Sequence, residues 1–254
     1  MMNFNSIGST LLGLGFVVIF IALLIYFTFQ ERLQTGIELR EIPAFVKLRR
    51  SIGQAVEAGQ RVHISLGWGN LNGLEAGSSF IGFAVLHRIA QTASVSDRPP
   101  IATSGNGVLS ILSRDTLRTT YQQIGAAGLY DPIYSQLTGL TPFSFAAGTL
   151  PIILDQQVST SYLAGHFSSE IAYIADATER SGGLTIAGSD DLPAQSVLIA
   201  TAEAPLIGEE LYASGAYLQA GPMHCASVRV EDYFRWAVAG SILIGTILKV
   251  IGVV

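Results

Sequence analysis

The chain has 254 residues, enough for one sizeable domain or for one domain plus membrane segments. Charged residues are 13% and hydrophobic residues 49% of it, against a usual charged share of about 25%, which excludes a disordered chain and an ordinary highly charged soluble surface. The formal charge of −5 argues against nucleic acid as a partner, and the single cysteine, Cys225, excludes a disulfide framework and a cysteine-rich zinc site.

The first thirty residues carry no charged side chain, and residues 7–29 form an apolar run. Such a run is long enough to cross ~30 Å of hydrocarbon. A cleaved signal peptide would want a basic start and a small-x-small cleavage site. Here the opening MMNFNS has no Lys or Arg, and the exit is the bulky Tyr26-Phe27-Thr28-Phe29, so an uncleaved anchor is expected. Residues 30–60 follow as a basic juxtamembrane segment. Ile42, Phe45, Val46, Ile52 and Val56 recur at helical spacing, with Pro43 suited to a first turn and Gly59 to a C-terminal cap. The cations Arg40, Lys47, Arg49 and Arg50 suit anionic lipid headgroups, and equally a solvated helix face.

From Arg61 to about residue 230 the pattern becomes short apolar runs ending in Gly or Ser, each followed by a helical stretch. Strands are expected at 61–66, 100–104, 158–164, 184–187 and 196–201. Helices are expected at 74–93, 108–123, 167–180 and 205–218. The stretch 128–157, rich in Gly, Pro and aromatics, reads as an excursion or an added hairpin. Alternating strands and helices predict an α/β domain with a mostly parallel, Rossmann-like sheet covered on both faces.

Residues 234–254 are expected to form a second span. Trp236 and the eighteen residues after it contain one charge, Lys249, and would reach about 28 Å. Tyr233 and Trp236 suit the interface at its entrance. Arg32, Arg40, Lys47, Arg49 and Arg50 follow the first span, and Arg229 and Arg235 precede the second. The positive-inside rule therefore places the central domain in the cytoplasm of a cell with both termini outside its (inner) membrane. Ala237, Ser241 and Gly245 recur every four residues as a small-residue stripe of the kind that packs helices, and span one offers Ser9, Gly13 and Gly15.

In open α/β sheets ligands sit outside the carboxyl ends of the strands. The candidate crevice residues are thus Gly67, Gly69 and Asn70, Ser104 and Asn106, His166 and Glu170, and Ser189 and Asp190. Gly67-x-Gly69 followed by Gly73 is one residue longer than a dinucleotide fingerprint, and no isolated acidic residue closes a second strand about twenty positions on. His166 and Glu170, four apart, would share one face of a helix and either join Asp190 or Asp191 in an acid–base or metal site, or merely cap a turn. His63 reads as a packed strand residue. His224 and Cys225, read as strand neighbours, would point to opposite faces and so form no nucleophilic pair. Lys47 and Lys249 are the only lysines, so the central domain holds no phosphate-binding or Schiff-base lysine. No metal ligand set, cofactor or catalytic group is expected.

The two-span plan, the segment IELREIPAFVKLRRSIGQAVEAGQRVHISLGWGNLNG and the later PPIATSGNGVLSILSRDTLR resemble an uncharacterised bacterial membrane-protein family of filamentous green-nonsulfur-type bacteria. That resemblance implies a membrane-anchored α/β domain and assembly into large homo-oligomeric membrane rings. Two functions compete. One is a membrane scaffold or ring whose partners are lipids and further copies of itself. The alternative is a membrane-tethered enzyme or small-molecule or nucleotide-binding domain using the Gly/Ser/Asp crevice. A channel or transporter is a weaker third reading, since no carboxylate lies within the expected spans.

Overall fold

The computed structural model describes residues 4–33, 39–94 and 96–251. The chain divides into two compact units, residues 40–220 and the pair of terminal segments 1–39 and 221–254.

In the central unit, strands β1 (Arg61–Gly67), β2 (Ile101–Ser104), β3 (Ser135–Leu137), β4 (Val158–His166), β5 (Leu184–Ser189) and β6 (Ala204–Leu206) form one sheet in the order β3-β2-β1-β4-β5-β6. Every pairing is parallel. Strands β1, β2 and β5 are buried almost without interruption, as expected where helices cover both faces. One face carries α2 (Pro43–Glu57), α3 (Ala76–Ala93), α4 (Gly107–Gln123) and α8 (Glu209–Tyr217). Its core is built on Phe45, Leu48, Ile64, Leu86, Leu109, Tyr162 and Leu211. The other face carries α5 (Pro142–Asp155), α6 (Ile171–Arg180) and α7 (Leu192–Thr201), packed through Phe145, Ile153, Leu163, Phe167, Ile174 and Leu198. This is the α/β architecture with helices on both faces that the alternating pattern predicts.

Helix α2 shows how the sequence sets its place. Phe45, Leu48, Ile52 and Ala55 are buried at spacings of three and four, while Lys47, Arg49 and Arg50 are exposed. Phe45 stacks on Tyr217 with ring centres 4.7 Å apart. Val46, counted with the apolar face from sequence, lies 44% exposed on the other side.

Three expectations are corrected. Residues 128–157 do not interrupt the alternation: they hold edge strand β3 and helix α5. A three-residue strand is too short to show a period. Helix α5 is masked by Gly148 and Pro151, although Pro142 at its start and the reciprocal Thr141–Ser144 cap mark it. Residues 196–201 are helical, not a strand. Helix α7 begins after Asp191, whose carboxylate accepts from the Ala194 amide, and the following strand is Ala204–Leu206. A short apolar run such as Val197-Leu198-Ile199-Ala200 fits a strand and a buried helix equally well. Helix α8 accordingly starts at Glu209 rather than at Pro205.

In the other unit, α1 (Phe4–Leu33) and α9 (Pro222–Ile251) pair antiparallel. Phe234 meets Phe16 and Phe20, Phe27 stacks on Tyr233, and Arg229 pairs with Glu31 at 2.9 Å. Residues 13–32 and helix α9 are long and apolar enough to cross a membrane. Helix α9 runs on from Pro222 without a break, so His224 and Cys225 are helical neighbours and the strand-face argument does not apply to them.

His63 lies within the sheet, fully buried, with Nδ1 3.2 Å from the Ser161 hydroxyl and Nε2 2.9 Å from that of Thr103. Burial lowers its pKa to about 3. The folded state therefore holds it neutral, whereas the unfolded chain protonates it below about pH 6.5. Its contribution is fully present above that pH and is lost as pH falls from 6.5 towards 3, at about 1.4 kcal/mol per pH unit. Urea unfolding between pH 7 and 4.5 should show this slope, and His63→Gln should flatten it.

Candidate functional site

The strand order places a topological switch between β1 and β4, where an α/β sheet normally opens a crevice at its carboxyl edge. Here the two strand ends close on each other. Gly67 has φ +70°, and a side chain there would collide with the His166 carbonyl; one at Gly165 would collide with the Leu66 carbonyl. A Cβ at Gly69 would stand 2.6 Å from the His166 Cβ. The amide of Trp68 donates to the His166 carbonyl at 3.1 Å, and that of Gly105 to the Gly67 carbonyl at 2.8 Å. The glycines thus admit the chain's own backbone and side chain where a dinucleotide turn would admit a pyrophosphate.

His166, at the end of β4, directs Nδ1 to Asp190 Oδ1 at 2.7 Å, and the Ser78 hydroxyl donates to Asp190 Oδ2 at 2.9 Å. The Trp68 ring stands edge-on to the imidazole, 4.7 Å between centres. Glu170, 1% exposed, accepts from Trp68 Nε1 at 2.7 Å and from the Ser168 amide at 2.9 Å. His166 therefore pairs with Asp190, and Glu170 with Trp68. The expected common helix face does not form, because His166 closes a strand and Glu170 stands at the cap position before α6.

Of the other candidates, Asn70, Asn106 and Ser189 are also occupied locally. Asn70 receives the Asn72 amide on its side chain, and its own amide donates to Glu75. Asn106 caps α4 through the Val108 amide at 2.8 Å. Ser189 accepts the amides of Phe167 and Asp191 and donates to the Phe167 carbonyl. Ser104 is fully buried with its hydroxyl unpartnered among the described residues. Trp68, Glu75 and Ser78 were not among the sequence candidates. An indole between two glycines at a strand end was the available signal for the first; nothing in the sequence marked the other two.

A histidine–carboxylate pair can hold a proton in the neutral range. The bond to Asp190 raises the His166 pKa above the ordinary value, against the lowering by burial, and Glu75 and Asp191 add to the rise. The Ser78 hydroxyl serves the carboxylate and not the imidazole, so it forms no serine relay with His166. Among the described residues no three His, Cys, Asp or Glu side chains group as a metal site. An acidic crevice repels phosphate groups.

Because the folded pKa of His166 is raised, its stabilising share is complete below about pH 6.5 and disappears as pH rises through the folded value. Imidazole proton shifts followed by NMR should show Asp190→Asn moving this titration downward towards 6.5. The same substitution should remove the loss of thermal stability expected of wild type from pH 6 to pH 8.

The basic collar is partly engaged within the central unit. Lys47 pairs with Glu203 at 3.1 Å, Arg40 reaches Glu210 at 3.5 Å, and Arg49 donates to the Tyr217 carbonyl at 2.6 Å. Ala237, Ser241 and Gly245 are exposed on α9, and a side chain at Gly245 would meet open space. Gly13 and Gly15 of α1 are equally open, while the Ser9 side chain lies outside the described residues.

No curated protein and no solved structure matches the chain. One family profile matches residues 3–254, nearly the whole sequence, and the chain belongs to that family, described as "Domain of unknown function (DUF6754)".

Proposed function

We propose that this is a membrane-anchored structural protein. Its two long terminal helices span the cell membrane, its α/β domain lies in the cytoplasm with both termini outside, and many copies associate head-to-tail into a homo-oligomeric, ring-like assembly. The observation that carries this reading is the crevice at the β1–β4 switch. Its glycines pack against His166 and the end of β1, and His166 bonds to Asp190 and Glu170 to Trp68. A fold built for ligand binding has here turned the usual site into an internal joint.

The orientation rests on Arg32, Arg40, Lys47, Arg49, Arg50, Arg229 and Arg235, all at the inner flanks of the two spans. Head-to-tail association is supported by an imbalance along the sheet. Residues 61–137, which build the β3 side, carry five arginines (61, 88, 98, 114, 118) against four acids (75, 97, 115, 131), a formal +1. Residues 138–220, which build the β6 side, carry Arg180 alone against nine acids (155, 170, 176, 179, 190, 191, 203, 209, 210), a formal −8. Large apolar side chains are exposed on both halves: Ile111 and Ile133 on the first, Leu140, Leu192 and Ile199 on the second. Two unlike surfaces on each copy are what a closed ring of heterologous contacts requires.

The Rossmann-type strand order favours a second reading, a tethered domain that binds a small molecule at the crevice. Mass photometry in one detergent separates the two. The scaffold reading expects a discrete high-order particle, which Gly245→Leu shifts to smaller species while the α/β domain stays folded, since small residues are what let helices approach closely in lipid. A wild type that is monomeric at micromolar concentration would overturn it. The topology is checked separately with engineered cysteines near residues 3 and 97. An impermeant reagent applied to intact cells should label the first site only.

A further inference from the structure

The opposite edge of the sheet is built differently. Under α2, at the amino ends of β4 and β5, lies a cavity of about 410 Å³, within the usual range for small-molecule sites. Helix α2 supplies Lys47, Arg50 and Gln54, strand β4 supplies Ser159 and Thr160, and Glu203 stands before β6. The turn Gly182-Gly183 adds backbone without side chains.

Two features of this cavity have no use among the described residues. Lys47 is neutralised by Glu203, but Arg50 is exposed and enters no ion pair among the described residues, leaving the cavity with one net positive charge. Thr160 is 1% exposed and Ser159 is half-buried, yet neither hydroxyl finds a hydrogen-bond partner among the described residues. Buried polar groups are nearly always bonded, so orphaned hydroxyls beside an uncommitted guanidinium point to a missing acceptor. A guanidinium fork and hydroxyl donors fit a tetrahedral oxyanion. The Gln54 amide and Glu203 carboxylate can hold the hydroxyls of what is attached to it.

We propose that this cavity binds a phosphate ester bearing a small polar group, held by Arg50, Thr160 and Ser159. The same chemistry is offered by an anionic lipid headgroup and by a soluble glycerol phosphate. The lipid source has the advantage of sequence, since residues 34–42 alone separate α1 from α2. This site is independent of the assembly proposed above.

The test uses the full chain in nanodiscs, with two sources of phosphate. In discs of phosphatidylcholine alone, glycerol 3-phosphate is titrated and followed by phosphorus NMR line broadening and by thermal unfolding. In a second set, phosphatidylglycerol replaces part of the phosphatidylcholine and thermal unfolding is read alone. Saturable binding in the first set identifies a soluble ligand; stabilisation confined to the second identifies the headgroup. In whichever set responds, Arg50→Gln should weaken the response about tenfold, as loss of a charge-assisted contact implies. Thr160→Val should weaken it about threefold while leaving the unliganded protein at least as heat-stable as wild type, because it removes an unpaired hydroxyl. Arg118→Gln deletes the same charge from an exposed residue of α4 that does not line the cavity and should leave the response unchanged. The proposal is overturned if neither set responds, if Arg50→Gln binds like wild type, or if Arg118→Gln loses as much as Arg50→Gln.

Discussion

The close approach of β1 and β4 at the sheet's centre is the constraint on which the domain depends. These neighbours are adjacent in space but far apart in sequence, joined only after the chain has built β2 and β3 and crossed back through α5. Their carboxyl ends come together because Gly67, Gly69 and Gly165 carry no side chain, and each faces an atom that leaves no room for one. A positive φ at Gly67 lets the chain leave β1 sharply enough for Trp68 to bond the His166 carbonyl. From that joint the rest of the polar network follows. Trp68 is carried to Glu170, His166 to Asp190, and Asp190 to Ser78 at the start of α3. Helices from both faces of the sheet are tied to one point.

How much of this was legible in the sequence depends on how local the signal is. Strands β1, β4 and β5 and helices α2, α3 and α4 were placed within a few residues, because each combines a strong period with a Gly or Asn boundary. The edge of the sheet was not. Strand β3 is three residues long, α7 opens from a capping aspartate into an apolar run of no distinct period, and α5 contains both a glycine and a proline. In each case tertiary packing decides what local propensity leaves open.

The candidate site divides along the same line. That strand ends would supply the crevice residues follows from the fold class, and His166, Glu170 and Asp190 do gather there. Their pairing was not readable. Spacing along one helix suggested His166 with Glu170, whereas partners from distant strands took both residues. Ser78 and Glu75 enter only through contacts across the sheet's end, which no linear pattern encodes. His63 was read correctly as packed, since a histidine inside a strand of a doubly covered sheet has only its neighbours' hydroxyls to bond.

The two edges of the sheet therefore reverse their usual roles. At the carboxyl edge glycine is used to bring the chain onto itself, acids outnumber bases, and His166, Glu170, Asp190 and Ser189 are bonded, Ser104 alone of the hydroxyl candidates being unpartnered among the described residues. At the amino edge two hydroxyls and an arginine are left uncommitted among the described residues around an open volume. An unbonded buried hydroxyl lowers stability, so its retention beside a guanidinium is explained more directly by a ligand than by folding. The same helix that supplies Arg50 to this cavity is buried against the sheet through Phe45, Leu48 and Ile52. An anion held there would bridge α2 to the start of β4 and so fix the first element after α1 to the domain's central strand.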